Sequence, residues 1–272
     1  MGQAEMAEQN ETFARGTLKA ACAGHVGRLT IDRPEKKNAL DAAMWSVLPR
    51  ALGWLTAEGR ARVILIEGGG SDFSAGADIS EFDRVRHDPP SARAYDALNA
   101  QAFRAVRECE VPVIAVIRGI CFGGGFGIAA ACDIRLASAD ARFAVPAARL
   151  GLTYPVDAIV DFVEALDVQT AKRLLYTGAE MTASEALARG FLAAVHEPDA
   201  LVQEAAKLAM AIAANAPLTV SASKVALRAA LSGRSTDRDR AVALAAATFE
   251  SEDYAEGRAA FAERRRPGFT GR

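Results

Sequence analysis

The sequence predicts an α/β fold with a layered core. Three observations carry the prediction. Short buried strands alternate with helices through the first two thirds of the chain. Most of those strands close on glycines or small residues that turn directly into a helix. The chain also has the capacity: 272 residues, 51% of them apolar, suffice for one sizeable core with a smaller appendage.

Along the chain, HVGRLTID (His25 to Asp32) alternates apolar and polar side chains, as a half-buried strand does. RPEKKNAL is a turn, after which Asp41 caps a helix running towards Glu58. VILIE (Val63 to Glu67) is a buried strand closed by Gly68, Gly69 and Gly70. A loop carrying FSAGAD leads to a helix near Asp78, HDPPS (His87 to Ser91) breaks it, and a second helix runs from about Ser91 to Glu108. PVIAVIRG (Pro112 to Gly119) is the next buried strand, followed by a glycine loop, a helix from Gly124 to Ala131 and the strand DIRLAS, Asp133 to Ser138. Thr182 and Glu185 form a capping box, and Gly190 is placed to end its helix. From Asp199 the pattern is almost entirely helical, punctuated by Pro217, Gly233 and Gly257. The expected organisation is a loose tail over residues 1–17, an α/β core over 18–198 and a helical region over 199–272.

Composition narrows the function. A formal charge of -2 and a pI near 6.0 give no basic footprint, so nucleic acid is not an expected partner. Cys22, Cys109, Cys121 and Cys132 make no CxxC pair or metal-like cluster and read as buried free thiols. No apolar run reaches the ~18 residues of a membrane span. The polar, acidic start MGQAEMAEQNETFARG resembles neither a signal nor a transit peptide, so a cytoplasmic protein is expected.

Two stretches share one grammar of strand, small residues and helix start: VILIEGGGSDFSAGADI and PVIAVIRGICFGGGFGI. Helix N-termini leave N–H groups unsatisfied and favour negative charge, and small residues let a ligand approach the backbone. Two such termini facing one point would bind an oxyanion; the alternative is a pair of ordinary tight turns. GGGFG does not open a nucleotide site, because neither GxGxxG with a following acid nor GxxxxGK[ST] occurs.

RPEKKNALD (Arg33 to Asp41), FSAGADI (Phe73 to Ile79), PVIAVIRGICFGGGFGIAAACDIRLAS (Pro112 to Ser138), FAVPAARLGL (Phe143 to Leu152) and FAERRRPGF (Phe261 to Phe269) resemble, in order and spacing, the crotonase or enoyl-CoA hydratase/isomerase family. The resemblance runs from about residue 17 to the end. It implies a crotonase-like fold of repeated ββα units with a C-terminal helical trimerisation region. It also implies homotrimers, often paired as hexamers, and an acyl-CoA thioester as ligand. CoA enters as part of the substrate, and no separate cofactor or metal is expected. By the same resemblance, the backbone N–H groups of Ala77 and Gly124 are the oxyanion donors.

The sequence departs from the family at the acid and base. Hydratases of the family activate water with two glutamates, where this chain has Gly127 and Ala147, and neither can move a proton. A relocated group is therefore expected. Asp157 reads either as a helix cap or as a pocket carboxylate, and Tyr154 either as a hydrogen-bond donor to the acyl group or as packing. Glu81, Asp83 and His87 follow GAD, but His87 reads better as a solvated loop residue, and His25 and His196 as structural. The resemblance places CoA near Lys37, Ala39, Ala75, Asp78, Ile79 and Arg265, with Asp78 best read as a helix cap and Phe261 and Phe269 as packing. The leading expectation is an acyl-CoA enzyme with isomerase-like, one-base chemistry. The alternatives are hydration or thioester hydrolysis through Asp157 and Tyr154, and an acyl-CoA binding protein without turnover.

Overall fold

A computed structural model describes residues 8–272. β1 (Gln9–Phe13), β2 (Leu18–Ala23) and β3 (Val26–Ile31) form an antiparallel meander, and α1 (Ala42–Ala57) follows. β4 (Val63–Gly68) leads through a loop to the short α2 (Phe82–Val85) and the long α3 (Pro89–Arg107). Next come β5 (Val113–Ile117), β6 (Ile120–Phe122) and α4 (Gly124–Ala131), then β7 (Ile134–Ser138), β8 (Arg142–Ala144) and α5 (Val156–Ala165). α6 (Val168–Thr177), β9 (Met181–Thr182), α7 (Ala183–Ala188) and β10 (Ala194–His196) complete the core, and α8 (Pro198–Ala213), α9 (Pro217–Ser232), α10 (Ser235–Phe249) and α11 (Glu252–Ala262) close the chain.

The large sheet has the order β1-β2-β3-β4-β5-β7-β10, parallel from β3 onward, and the small sheet has the order β6-β8-β9. The repeat is visible in this order. β5 lies in the large sheet, β6 in the small one, and α4 follows; β7, β8 and α5 repeat the pattern. The central parallel strands β4 and β5 are buried from end to end, so VILIE and VIAVI read as continuous apolar runs. One sheet face packs against α1, α3, α4 and α5 through Trp45, Leu48, Phe103, Phe126 and Phe162.

Two expected boundaries move. Gln9–Phe13 is a strand paired with β2, so the loose tail does not extend to residue 17; residues 1–7 lie outside the described part. α8 is a layer of the core and not part of an appendage, since Leu201, Ala205 and Ala209 pack on Val63, Leu65 and Ile114. Burying each large aliphatic there contributes about 1.5–3 kcal/mol. The C-terminal tail returns to α11, where the N–H groups of Thr270 and Gly271 donate to Asp253. Among the described residues, no single helix is long and apolar enough to cross a membrane.

Candidate active site

The turn RPEKKNAL builds the site. Asn38 and Lys37 adopt positive φ, which folds the turn back on itself. The fully buried Asn38 amide donates to the carbonyls of Gly69 and Asp72 and accepts from the Arg33 N–H. Ser74 Oγ donates to Asn38 O at 2.8 Å and accepts from the Gly76 N–H at 3.1 Å. Isolated bridges tie Leu40 to Ala77 and Ser74 to Cys121, joining the GAD loop to the start of β6. Two segments far apart in sequence are thereby clamped side by side.

The clamp brings Ala77 and Gly124 together on one cavity wall. Ala77 and Gly124 are half-buried, line the same cavity, and their N–H groups meet no acceptor among the described residues. The glycines allow the approach. Gly76 has φ +96°, and a Cβ there would fall 2.7 Å from Gly124 N. A Cβ on Gly124 would fall 2.8 Å from the Trp45 ring and 3.5 Å from Ala77 N. The Gly124 N–H also opens α4, so the helix dipole adds to the attraction for an anion. The cavity encloses about 640 Å³ counting its mouth, with apolar walls from Ile79, Phe82, Phe103, Leu150 and Leu152.

Gly127 does not open extra space for the acyl group. A Cβ at 127 would lie 2.3 Å from the Tyr154 hydroxyl and 2.7 Å from Phe103. The Tyr154 ring stacks on Phe103 and its hydroxyl donates to Gly123 O at 2.9 Å. Tyrosine has therefore taken the volume that a side chain at 127 would need. Burial pushes its ionisation far up, so the hydroxyl stays protonated and donates. Ala147 lines the cavity and adds no polar group.

Asp157 is not where a pocket acid must be. α5 begins at Val156 with Pro155 at the N-cap, so Asp157 is not its cap. Its side chain is 60% exposed and pairs with Arg104 at 3.0 Å, on a face away from the cavity. The buried carboxylate of α5 is Asp161, held by both oxygens on Arg107 at 2.8 Å. Burial pushes it up to about 6 even against that partner.

The residues expected around CoA divide. Ala75 and Ile79 line the cavity. Lys37 is exposed beside the turn, and its carbonyl accepts from the Ala75 N–H at 2.8 Å. Ala39 is buried outside the cavity wall and accepts from Arg33. Asp78 caps the turn at Ser80 and pairs with Arg33 at 3.1 Å. Burial alone would raise its carboxyl, but the Ser80 and Arg33 hydrogen bonds win and lower it. Arg265 pairs with Glu256 and Glu263 on the surface, and these carboxylates would compete with a phosphate for it. Phe261, expected to pack, is 87% exposed. Glu81 accepts from the Ala42 N–H at the start of α1, and His87 is exposed.

Three polar residues of the cavity escaped the sequence reading: Arg86, Asp96 and Asn99. Asp96 is the one carboxylate on the cavity wall among the described residues, and it holds Arg86 at 2.5 Å. A signal for Asn99 existed. Tyr95, Asn99, Ala102, Phe103 and Val106 form the buried face of α3, and an amide in that apolar stripe is anomalous.

Comparison with known proteins shows the family and the fold. The enoyl-CoA hydratase/isomerase family profile matches residues 22–272. The chain is 34% identical over 255 residues to the short-chain-enoyl-CoA hydratase of Clostridium acetobutylicum, covering 92% of this chain and 96% of that protein. It is 30% identical over 214 residues to the mitochondrial Delta(3,5)-Delta(2,4)-dienoyl-CoA isomerase of Mus musculus, covering 75% of this chain and 65% of that one. An enoyl-CoA hydratase/carnithine racemase structure from Magnetospirillum magneticum superposes with a TM-score of 0.87 at 34% identity, covering 94% of this chain and 96% of that one.

Proposed function

This chain belongs to the enoyl-CoA hydratase/isomerase family, and on that premise we propose that it moves one proton on an acyl-CoA thioester instead of adding water. The thioester oxygen sits between the N–H groups of Ala77 and Gly124. Loss of a proton next to the carbonyl turns that oxygen into an enolate, which the two donors stabilise. The enolate needs no metal or redox cofactor, and CoA enters with the substrate.

The observation that carries the reading is the carboxylate content of the cavity. Two-glutamate activation of water has no side chains here: Gly127 is packed under Tyr154, and position 147 is alanine. Asp96 is the remaining carboxylate on the wall, and we assign it the proton shuttle. It takes a proton from the α- or γ-carbon and returns it to the other, so the double bond moves and nothing is consumed.

Substitution tests the assignment. Asp96→Asn should keep acyl-CoA binding and lose α-proton exchange by about 100-fold, within the usual range for a missing proton shuttle. Asp157→Asn should leave exchange within about 2-fold, because an exposed ion pair contributes little. Exchange that survives Asp96→Asn would move the shuttle elsewhere.

Assembly is also part of the proposal. Leu227, Leu231, Val242 and Phe249 on α9 and α10 are each more than 60% exposed. Such apolar exposure fits a face covered by copies of the chain, as in a homotrimer or a hexamer of paired trimers. A cytoplasmic location remains the expectation that accompanies this reading.

A further inference from the structure

The glycine at 127 and the donor at 124 are coupled through one peptide unit. The Gly124 N–H and the Gly123 carbonyl belong to the same plane. The unit is trans, so its N–H and C=O point in opposite directions, and whatever grips the oxygen also sets the line of the N–H. Two rotations orient the plane, ψ of residue 123 and φ of residue 124, and both residues are glycine. Gly123 has φ +50° and ψ -117°, a combination that a side chain would exclude. No side chain of its own therefore holds this plane, and it is fixed through its oxygen.

Gly123 O has two donors. The Gly127 N–H reaches it at 3.1 Å, as the first bond of α4, and the Tyr154 hydroxyl at 2.9 Å. Both lone pairs of the carbonyl are thereby used. The hydroxyl is held in turn. The Tyr154 ring stacks on Phe103 with centroids 6.1 Å apart and meets Phe162 edge-on at 4.8 Å. It can reach Gly123 because residue 127 is glycine, where a Cβ would collide with the hydroxyl. Gly123, Gly124 and Tyr154 line the same cavity. The Tyr154 hydrogen bond draws electron density towards Gly123 O and so makes the Gly124 N–H a stronger donor, since linked hydrogen bonds polarise one another. The gain is largest when negative charge develops on the oxygen that the N–H meets.

We infer that Tyr154 is a positioning residue for the reaction: through Gly123 O it fixes the Gly123–Gly124 peptide and strengthens the Gly124 N–H as an oxyanion donor. The volume beside Gly127 thus serves the oxyanion hole and moves no proton. The inference rests on the acyl-CoA reading of this cavity, with the thioester oxygen at the Gly124 N–H.

Infrared difference spectroscopy of the full-length protein with bound hexanoyl-CoA tests it, with 13C at the thioester carbonyl to isolate that band. In the wild type the carbonyl stretch should lie below that of free hexanoyl-CoA, because donated hydrogen bonds weaken the C=O bond. Tyr154→Phe keeps the ring and loses the donor, so the band should move part of the way back up. With 3-fluorotyrosine at position 154, a more acidic phenol of nearly the same size, the band should move further down. In turnover of a 3-enoyl-CoA, Tyr154→Phe should lower kcat about 10-fold with KM within about 2-fold, as for a hydrogen bond that counts mainly in the transition state. A band that neither substitution moves overturns the inference and leaves the acyl-CoA reading intact; a fall in kcat without a band shift marks a merely structural role and overturns it too. Where Tyr154→Phe does not fold, the fluorotyrosine band decides. Failure of the wild type to bind hexanoyl-CoA, or a carbonyl band unshifted on binding, overturns the acyl-CoA reading of the site and this inference with it.

Discussion

Gly127 and Tyr154 share one volume, and that exchange defines the site at the scale of single residues. A methyl group at 127 would collide with the Tyr154 hydroxyl and the Phe103 ring. Gly127→Ala should therefore destabilise the fold by about 1–3 kcal/mol, the usual cost of overpacking. Tyr154→Phe removes the nearest of the colliding atoms, so Gly127→Ala should cost less in that background. Urea unfolding of the four proteins in the cycle checks this, and equal costs in both backgrounds would refute the shared volume. The sequence showed that a carboxylate was missing at 127. It could not show what had replaced it, because the occupant arrives from a distant loop. Ala77 and Gly124 were reached through the family resemblance, by matching the GAD and GGG motifs, and the structure puts both on the wall of one cavity.

Helix boundaries decide which carboxylate faces the substrate at the next scale. Each residue turns a helix by about 100°. Reading α5 as starting at Ala158 made Asp157 a candidate cap; its start at Val156 puts Asp157 on the outer face and Asp161 on the inner one. Asp96 was overlooked because a charged residue on a long polar helix reads as solvated, and only the docking of α3 on α1 brings it to the cavity. α4 offers a sharper test. Gly124→Pro removes the N–H at the first helical position, where proline is otherwise tolerated. Gly124→Ala adds the same Cβ against Trp45 and keeps the donor. The ratio of their kcat/KM values should be about 100-fold in favour of alanine, the worth of one oxyanion donor. A ratio near one would remove the Gly124 N–H from the mechanism.

At the scale of the whole molecule, the alternation of strands and helices was legible because parallel strands buried on both faces leave continuous apolar runs. The first strand was not, since QNETF carries no apolar alternation and is held by pairing with β2. The same holds for α8, whose Ala-rich face gives no hint that it covers the sheet. Leu231→Glu on the exposed α9 face should shift light-scattering mass from an oligomer towards a monomer with the fold retained. An unchanged mass would place the assembly face elsewhere. The measurement that tests the central claim most directly is product analysis in heavy water with crotonyl-CoA and a 3-enoyl-CoA, following deuterium by NMR. The account predicts deuterium at the α- and γ-carbons and a shifted double bond, with no 3-hydroxyacyl product. Formation of a 3-hydroxyacyl-CoA, or absence of any exchange, would contradict it.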